Sequence, residues 1–346
     1  MNSEHDTNIP REFASIRGYE YARMHYLSCF FVFFVAIQSF GQEPSTVTDK
    51  TRGEIALWQI ALDQKLFSPG CIDGKLGSRT QLAIVAWQEA NDLKPDGKVG
   101  PMTKASLGMD ETFAATAFAE YAVTAEDLAS IGRAPESWRE RAKQSTMPYE
   151  TILELVAEKS HATQDFIRTL NPAVDWNNVA QASSLRVPNV SAPTDFPAAA
   201  KVRISLSKKI IAAFDGSDKI VALFPCSIGR DKARVPVGEL RVIAFAPRPN
   251  YTFDPAVFPE SAEAREIQGK LIIPPGPNNP VGSMWISLGR PEGDLQPLSG
   301  YGIHGTPKPE DIGKTESHGC FRLANWNAER LAKMISAGTP VFVEAE

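Results

Sequence analysis

Short runs of alternating apolar and polar residues fill the C-terminal part of the chain, and this period of two is typical of half-buried β-strands. Turn residues separate the runs, and one stretch with helical spacing follows, with Asn325 as its predicted N-cap and Gly338 beyond its end. We therefore predict a mostly-β, sandwich-like domain over residues 198–346 with one late helix. The predicted strands are residues 202–206, 210–214, 220–224, 240–245, 271–273, 285–288 and 341–343.

Apolar residues recur at helical spacing over residues 50–110, which predicts a small helical bundle. Residues 73–80 (DGKLGSRT) are echoed by residues 96–103 (DGKVGPMT), and each Asp-Gly pair predicts a tight turn. A Trp-Gln pair, residues 58–59 and 87–88, lies on each of the two longer predicted helices. The repeat is compatible with purely structural turns as well as with a binding module.

Residues 112–192 are predicted to form a smaller α/β spacer domain, and residues 191–197 form a proline-containing linker to the β-rich domain. Helical stretches are predicted within the spacer at residues 114–119, 136–144, 149–157 and 166–170, and a short strand is predicted at residues 185–188.

The composition is that of a globular protein, with 346 residues, 43% of them apolar and 22% charged. This length has room for two or three domains, each with its own core. The formal net charge is −5, and the sequence contains no basic run. Charge and patterning therefore argue against broad nucleic-acid binding.

Residues 27–40 are almost wholly apolar, and Arg11, Arg17 and Arg23 precede them. The stretch is too short for a stable transmembrane span, and the small residues that follow it suit a signal peptidase. We therefore predict a signal peptide over residues 1–41 and a protein of the periplasm or cell envelope. An inner-membrane anchor is the alternative if the segment is not cleaved.

The cysteines that would remain after cleavage are Cys71, Cys226 and Cys320. An odd number in an oxidising compartment leaves at least one free thiol. Cys71 and Cys226 lie in different predicted domains, so we expect them to be unpaired and buried as small apolar residues. Cys320 is the candidate for a reactive thiol.

His304 and Cys320 stand at the two ends of a glycine-rich segment. A histidine can take the proton of a thiol, and the thiolate attacks carbonyl carbons. Glycines allow close approach of backbone N–H groups, which can bind an oxyanion. These residues predict acyl transfer through a thioester. His304, His318 and Cys320 could also bind zinc, but no carboxylate stands at ligand spacing with them, so we predict no metal and no other cofactor.

The residues around this pair closely resemble the active-site signature of the L,D-transpeptidases, the YkuD-like family. The resemblance is carried by residues 301–306 (YGIHGT), 312–313 (IG) and 317–323 (SHGCFRL). It implies that Cys320 is the nucleophile and that His304 is the general base.

Other residues of the signature are candidates for supporting functions. His318 lies two positions before Cys320 and could approach the thiol from the same face of a strand, so it is the alternative base. The backbone N–H groups of Gly319 and Cys320 are candidates for an oxyanion hole. Arg322 could bind a substrate carboxylate or form a structural ion pair. The candidates for positioning the substrate or its loop are Gly305, Ser317, His318 and Arg322.

The resemblance implies attack on the L-centre carbonyl of a peptidoglycan stem tetrapeptide, with release of D-alanine. An amine of a neighbouring stem would then give a 3→3 cross-link, water would make the enzyme an L,D-carboxypeptidase, and a protein amine would make it an anchoring enzyme. The resemblance also implies covalent inhibition by carbapenem β-lactams.

Two other classes of protein are compatible with parts of the sequence. A non-catalytic wall-binding protein is disfavoured because His304 and Cys320 are both present. A papain-like peptidase is disfavoured because such enzymes place the cysteine before the histidine.

The two N-terminal domains also resemble known modules. The helical bundle with its repeat resembles the peptidoglycan-binding domain type 1, which implies that it holds glycan strands. The helices of the spacer, its Asn-Pro pair and residues 185–188 resemble a LysM module, although residues 149–150 replace the usual Gly-Asp. A degenerate spacer is the alternative. The proline-rich residues 248–268 are predicted to cap the active site, with a plain surface excursion as the alternative.

Overall fold

The computed structural model describes residues 49–191, 193–229, 236–258, 260–291, 297–317 and 319–345. The predicted signal peptide lies outside these residues, and so does His318. The described residues belong to one compact unit. None of the helices they form is both long and apolar enough to cross a bilayer.

Helices predominate up to residue 170 and strands predominate after it. The helices are α1 (Asp49–Gln64), α2 (Ser78–Ala90), α3 (Pro101–Leu107), α4 (Glu111–Thr116), α5 (Ala125–Ala129), α6 (Trp138–Ala142), α7 (Ile152–Lys159), α8 (Gln164–Leu170), α9 (Ala262–Glu266) and α10 (Asn325–Met334). The strands are β1 (Phe118–Ala122), β2 (Ser184–Pro188), β3 (Lys201–Ser205), β4 (Ile210–Phe214), β5 (Ile220–Pro225), β6 (Ile228–Gly229), β7 (Gly238–Pro247), β8 (Tyr251–Phe253), β9 (Leu271–Ile273), β10 (Met284–Gly289), β11 (Pro297–His304), β12 (Thr315–Ser317), β13 (Phe321–Arg322) and β14 (Pro340–Glu344).

One eight-stranded sheet forms the β-rich domain, in the order β13-β11-β10-β7-β14-β3-β4-β5. Neighbouring strands are antiparallel except for two parallel pairs, β14 with β3 and β11 with β13. Alternate side chains such as Ile204, Ile286 and Phe321 are fully buried and share one core with Leu331 of α10. The prediction of a mostly-β domain with a late helix is confirmed, and every predicted strand is present, although β9 pairs with β8 outside the main sheet.

The prediction that Asn325 caps the late helix is wrong. Ala324 occupies the N-cap position, and Asn325 is the first residue of α10. The Asn325 side-chain oxygen instead accepts hydrogen bonds from the backbone N–H groups of Ser283 at 3.1 Å and Thr306 at 3.0 Å. The side-chain oxygen of Asn325 therefore binds two loops outside the helix. A capping residue would instead accept a hydrogen bond from an N–H group of the first turn of its own helix.

Two buried glutamines explain the sequence repeat of the helical bundle. Gln59 of α1 donates to the Asp73 carboxylate at 2.8 Å and accepts from the backbone N–H of Gly74 at 2.8 Å. Gln88 of α2 contacts the second turn in the same way and donates to Asp96 at 3.3 Å. The glycine of each turn is left-handed, with φ of 69° and 70°, a conformation that glycine adopts without strain. The repeated residues therefore fasten each turn to a helix.

The spacer is closed by an antiparallel pair of strands, β1 and β2, of which only β2 was predicted. Helices α7 and α8 lie where the apolar spacing predicts them. The predicted helix over residues 114–119 is partly wrong, because α4 ends at Thr116 and Phe118 begins β1. The resemblance to a LysM module stays a prediction.

The predicted cap packs against the spacer. Residues 248–268 include β8, a short 3-10 turn and α9. Trp138 of α6 stacks on Phe253 with ring centroids 4.2 Å apart, and Glu263 accepts hydrogen bonds from the Ser137 hydroxyl and the Trp138 backbone. These contacts hold the segment in place from the spacer side.

A buried cluster joins the bundle, the spacer and the β-rich domain. Asp63 of α1 accepts two hydrogen bonds from the guanidinium of Arg330 in α10, at 2.9 Å and 3.0 Å. Asp63 also lies 2.9 Å from Nδ1 of His161, which follows α7. All three side chains are buried. We call Asp63, Arg330 and His161 the interdomain cluster.

Candidate active site

Strands β11 and β13 bring the two predicted catalytic residues to one edge of the sheet. His304 ends β11, Cys320 directly precedes β13, and the parallel register places His304 opposite Arg322. Ile303 and Phe321 also pair, and both are fully buried in the main core. Because successive side chains of a strand point to opposite faces, His304 and Cys320 turn together to the other face.

The His304 ring is held in one tautomer. Its Nδ1 lies 2.6 Å from the carbonyl oxygen of Gly305, and a carbonyl only accepts, so Nδ1 carries the hydrogen and Nε2 carries the lone pair. Burial lowers the pKa of His304 to about 4; the charge of Arg322 acts in the same direction, and the bond to Gly305 opposes it. The imidazole is therefore neutral at neutral pH, and its Nε2 can accept a proton.

Cys320 keeps part of its surface accessible, although other atoms surround its sulfur closely. Burial raises the pKa of the Cys320 thiol to about 11, while a backbone hydrogen bond from Gly302 and the charge of Arg322 act in the opposite direction. The resting site therefore holds a neutral thiol and a neutral imidazole. Ionisation of this thiol at neutral pH would require a neighbouring base to take its proton.

Trp285 of β10 supports the His304 ring. The two residues are direct partners in the β10–β11 register, and their rings stack with centroids 5.4 Å apart and planes at 15°. The indole nitrogen donates to the Ser287 hydroxyl at 2.8 Å, which fixes the ring. A Cβ on Gly302 would lie 2.7 Å from the Trp285 ring, so glycine at this position makes room for the stack.

Comparison with known protein families gives a match for each end of the described chain. Residues 199–343 match the YkuD family, "L,D-transpeptidase catalytic domain", and residues 51–107 match a "Putative peptidoglycan binding domain". The chain carries an L,D-transpeptidase catalytic domain. The matched residues of this L,D-transpeptidase domain include both His304 and Cys320.

Named relatives carry the same family description. "Putative L,D-transpeptidase YkuD" of Bacillus licheniformis is 26% identical over 196 residues, which are 57% of this chain and 94% of that protein. "Putative L,D-transpeptidase YqjB" of Bacillus subtilis is 30% identical over 128 residues, which are 36% of this chain and 61% of that protein.

Solved structures similar to this chain include the L,D-transpeptidase of Xylanimonas cellulosilytica (residues 123-326). It is 19% identical, with 83% of this chain and 92% of that chain covered, and the TM-score is 0.32. L,D-transpeptidase 3 of Mycobacterium tuberculosis, in complex with a faropenem-derived adduct, is 17% identical, with 48% and 76% covered and a TM-score of 0.30.

Two glycines of the L,D-transpeptidase domain flank the reactive residues. Gly305 is buried, and its carbonyl orients His304. Gly319 has φ of 150°, and a Cβ there would lie 3.2 Å from the ring of Tyr301. Glycine suits this position because a side chain would be strained at this φ and would press against the aromatic ring immediately before Cys320.

The structure describes the polar residues of the signature, Ser317, His318 and Arg322, only in part. Ser317 ends β12, which pairs with β6, but its side chain lies outside the described part of the chain, as does all of His318. Arg322 is half-buried, and its charge lowers the pKa of both Cys320 and His304. The guanidinium therefore lies near His304 and Cys320, a position compatible with either predicted function, binding a substrate carboxylate or forming an ion pair.

Tyr251 reaches the active site of the L,D-transpeptidase domain from the predicted cap. Burial raises the pKa of Tyr251 to about 12; Cys320 raises it further, and Arg322 opposes the shift. The phenol therefore lies near the thiol. Sequence reasoning missed Tyr251 because it lies in a proline-rich stretch without a periodic pattern, and it missed Trp285 because nothing local to that strand reveals its partner across the sheet.

The neutral state of the thiol predicts how Cys320 reacts with iodoacetamide. Since the thiol pKa is raised to about 11, the thiolate fraction should increase about tenfold for each pH unit between about pH 6 and pH 9. The alkylation rate of Cys320, followed by mass spectrometry, is expected to rise with the same slope. The Cys320→Ala variant gives the background from the other cysteines. A rate that is already level at neutral pH would indicate a resting thiolate–imidazolium pair instead.

Proposed function

We propose that the chain is a peptidoglycan L,D-transpeptidase that forms 3→3 cross-links through a thioester on Cys320. The observation that supports this most strongly is the β11–β13 pairing, which puts the His304 imidazole and the thiol on one face of the sheet. Nε2 of His304 takes the proton from the sulfur. The thiolate then attacks the L-centre carbonyl of a stem tetrapeptide, next to its terminal D-alanine.

The tetrahedral oxyanion is stabilised by the backbone N–H groups of Gly319 and Cys320. When it collapses, the C–N bond to D-alanine breaks, and His304 returns its proton to the leaving amine. The amine of a second stem attacks the thioester and gives up a proton to His304. The C–S bond then breaks, and the released Cys320 thiolate takes that proton back from His304. One D-alanine is therefore released for each cross-link, without a cofactor.

The family matches and the N-terminal sequence support the partners and the location that we propose. The helical bundle holds peptidoglycan glycan strands, and because Gln59 and Gln88 are used to fasten its turns, other residues make that contact. The apolar residues 27–40 direct the enzyme to the periplasm or cell envelope. The strained amide of a carbapenem β-lactam acylates Cys320 and inhibits it.

Incubation of the purified chain with disaccharide-tetrapeptide, followed by mass spectrometry, tests the reaction. We expect a cross-linked dimer that is one D-alanine lighter than two substrates, together with free D-alanine. The Cys320→Ala variant supplies the blank, because it lacks the nucleophile.

The products also separate the alternatives. A tripeptide without dimer would identify an L,D-carboxypeptidase, and dimer formation only when a protein amine is supplied would identify an anchoring enzyme. Unchanged substrate, with retention of the chain on insoluble peptidoglycan, would identify a non-catalytic wall-binding protein.

A further inference from the structure

Asn325 connects the spacer to the backbone that holds His304. Its Oδ1 accepts from the backbone N–H of Thr306 at 3.0 Å, and its Nδ2 donates to Glu158 at 3.0 Å. Asn325 is only 2% exposed, so water does not compete for these bonds. Thr306 follows Gly305, whose carbonyl accepts the hydrogen bond from the His304 ring.

The space around the Asn325 side chain is closed. A Cβ added to Gly305 or to Gly282 would overlap Oδ1, so the side chain sits directly against both backbones. The remaining freedom is an exchange of its oxygen and nitrogen. In the exchanged orientation, Nδ2 of Asn325 would face the backbone N–H of Thr306. Both groups are hydrogen-bond donors, so neither would find an acceptor there. An acceptor on the opposite side of the amide therefore helps to select the productive orientation.

Glu158 supplies that acceptor from α7 of the spacer. Its Oε1 accepts hydrogen bonds from Asn325 Nδ2 and from the Tyr149 hydroxyl, each at 3.0 Å. An ionised carboxylate has no donor, so it would repel the oxygen of an exchanged Asn325 amide. The spacer thereby adds to the preference, set also by the backbone N–H groups of Ser283 and Thr306, for Oδ1 of Asn325 to face Thr306.

We propose that Glu158 is a positioning residue for transpeptidation: by orienting Asn325 it holds the Gly305 carbonyl, and through that carbonyl it holds His304 with Nε2 ready to accept a proton. The inference rests on the proposed function, in which His304 is the base. It assigns the spacer a function in the chemistry, in addition to any contact with glycan.

The surroundings of Glu158 couple this acceptor to pH. Burial raises the pKa of Glu158 to about 7, although the hydrogen bonds from Asn325 and Tyr149 oppose the shift. Below that pH the protonated carboxyl can also donate, and it then selects the Asn325 orientation less strongly. The contribution to kcat should therefore increase as the pH rises through neutrality. Among the described residues, the other titratable groups near Glu158 are Tyr149, Glu154, Glu329 and Cys71.

A comparison of Glu158→Leu with Glu158→Gln in the full chain tests the proposal. Leucine removes the acceptor, and we expect kcat to fall about 10- to 100-fold with KM unchanged, since a small misplacement of a catalytic group has effects of this size. Glutamine keeps an acceptor oxygen but does not ionise. The Gln variant should keep kcat near wild type at low pH and lose the increase across neutrality. Wild-type kcat and pH profile in both variants would overturn the proposal.

A reciprocal exchange keeps the proposal testable if Glu158→Leu does not fold. The Asn325→Asp substitution replaces the amide nitrogen that donates to Glu158 with a carboxylate oxygen, so two acceptors face each other. It should lower kcat by a similar factor. Adding Glu158→Gln to that variant restores a donor opposite the new acceptor, and we expect at least about tenfold recovery of kcat. No recovery in a folded double variant would contradict the link between these two residues.

An NMR measurement separates this inference from the proposed function. The proton on Nδ1 of His304 should give a resolved signal in the wild type and in Glu158→Gln, and exchange with water should broaden it in Glu158→Leu. If Cys320→Ala retains activity, the proposed function fails. If Cys320→Ala is inactive but the Glu158 and Asn325 variants leave kcat, the pH profile and the Nδ1 proton signal unchanged, then the inference about Glu158 fails and the proposed function stands.

Discussion

Replacement of His304 by glutamine is expected to lower kcat for D-alanine release by at least about a thousandfold, to near the level of Cys320→Ala. The Cys320 thiol has its pKa raised to about 11, so it needs a base to ionise at neutral pH. Glutamine can still donate to the carbonyl of Gly305, but it takes no proton. Single-turnover formation of the thioester, measured by mass spectrometry, reports this step directly.

The control for this substitution is Lys308→Gln, which introduces the same side chain at an exposed position of the same segment. Its rate should match the wild type. His318→Gln is the informative companion, because His318 is the other candidate base. If His304→Gln keeps more than about a tenth of the wild-type rate while His318→Gln is inactive, the base is His318.

Strands such as β3 and β10 of the L,D-transpeptidase domain could be predicted because one face of each lies in the core. Ile204 and Ile286 are buried while their neighbours are less so, and that contrast is visible as alternation in the sequence. Strand β11 was missed because glycines and polar residues interrupt its pattern. One of these, Gly302, is small because the Trp285 ring occupies the space beside it. The interruption of the alternating pattern in β11 is therefore explained by a contact with the neighbouring strand.

The sequence predicts His304 and Cys320 as the candidate catalytic pair, but it does not reveal the residues that pack around them. His304 and Cys320 belong to one ordered motif, whereas Trp285, Tyr251 and Asn325 arrive from other elements. Asn325 resembles an N-cap because asparagine before a helix usually serves as one. Only the folded chain brings the Thr306 backbone and a second loop to its side chain, and these contacts replace the cap.

Substitution of Arg330 by methionine is expected to lower the free energy of unfolding by about 3–5 kcal/mol. Arg330 is 3% exposed and Asp63 is fully buried, so the variant would leave a buried carboxylate whose remaining partner among the described residues is His161. The effect should appear as a lower urea midpoint at neutral pH. Because the cluster joins α1 to α10, the loss should also loosen the helical bundle, which proteolysis between the domains would detect.

The double variant Asp63→Asn/Arg330→Met is the matched control, because it removes both charges and should lower the free energy of unfolding less than Arg330→Met alone.

The loss of stability at acid pH provides a second test of the interdomain cluster. Burial would raise the pKa of Asp63, but Arg330 and His161 outweigh it and hold that pKa well below its usual value, and burial lowers the pKa of His161. The folded chain then binds fewer protons than the unfolded chain at acid pH, so stability is present above these usual pKa values and falls as the pH drops. The double variant should lose stability less steeply below about pH 4 than the wild type. Equal slopes, or a double variant less stable than Arg330→Met, would show that the cluster does not carry this stability.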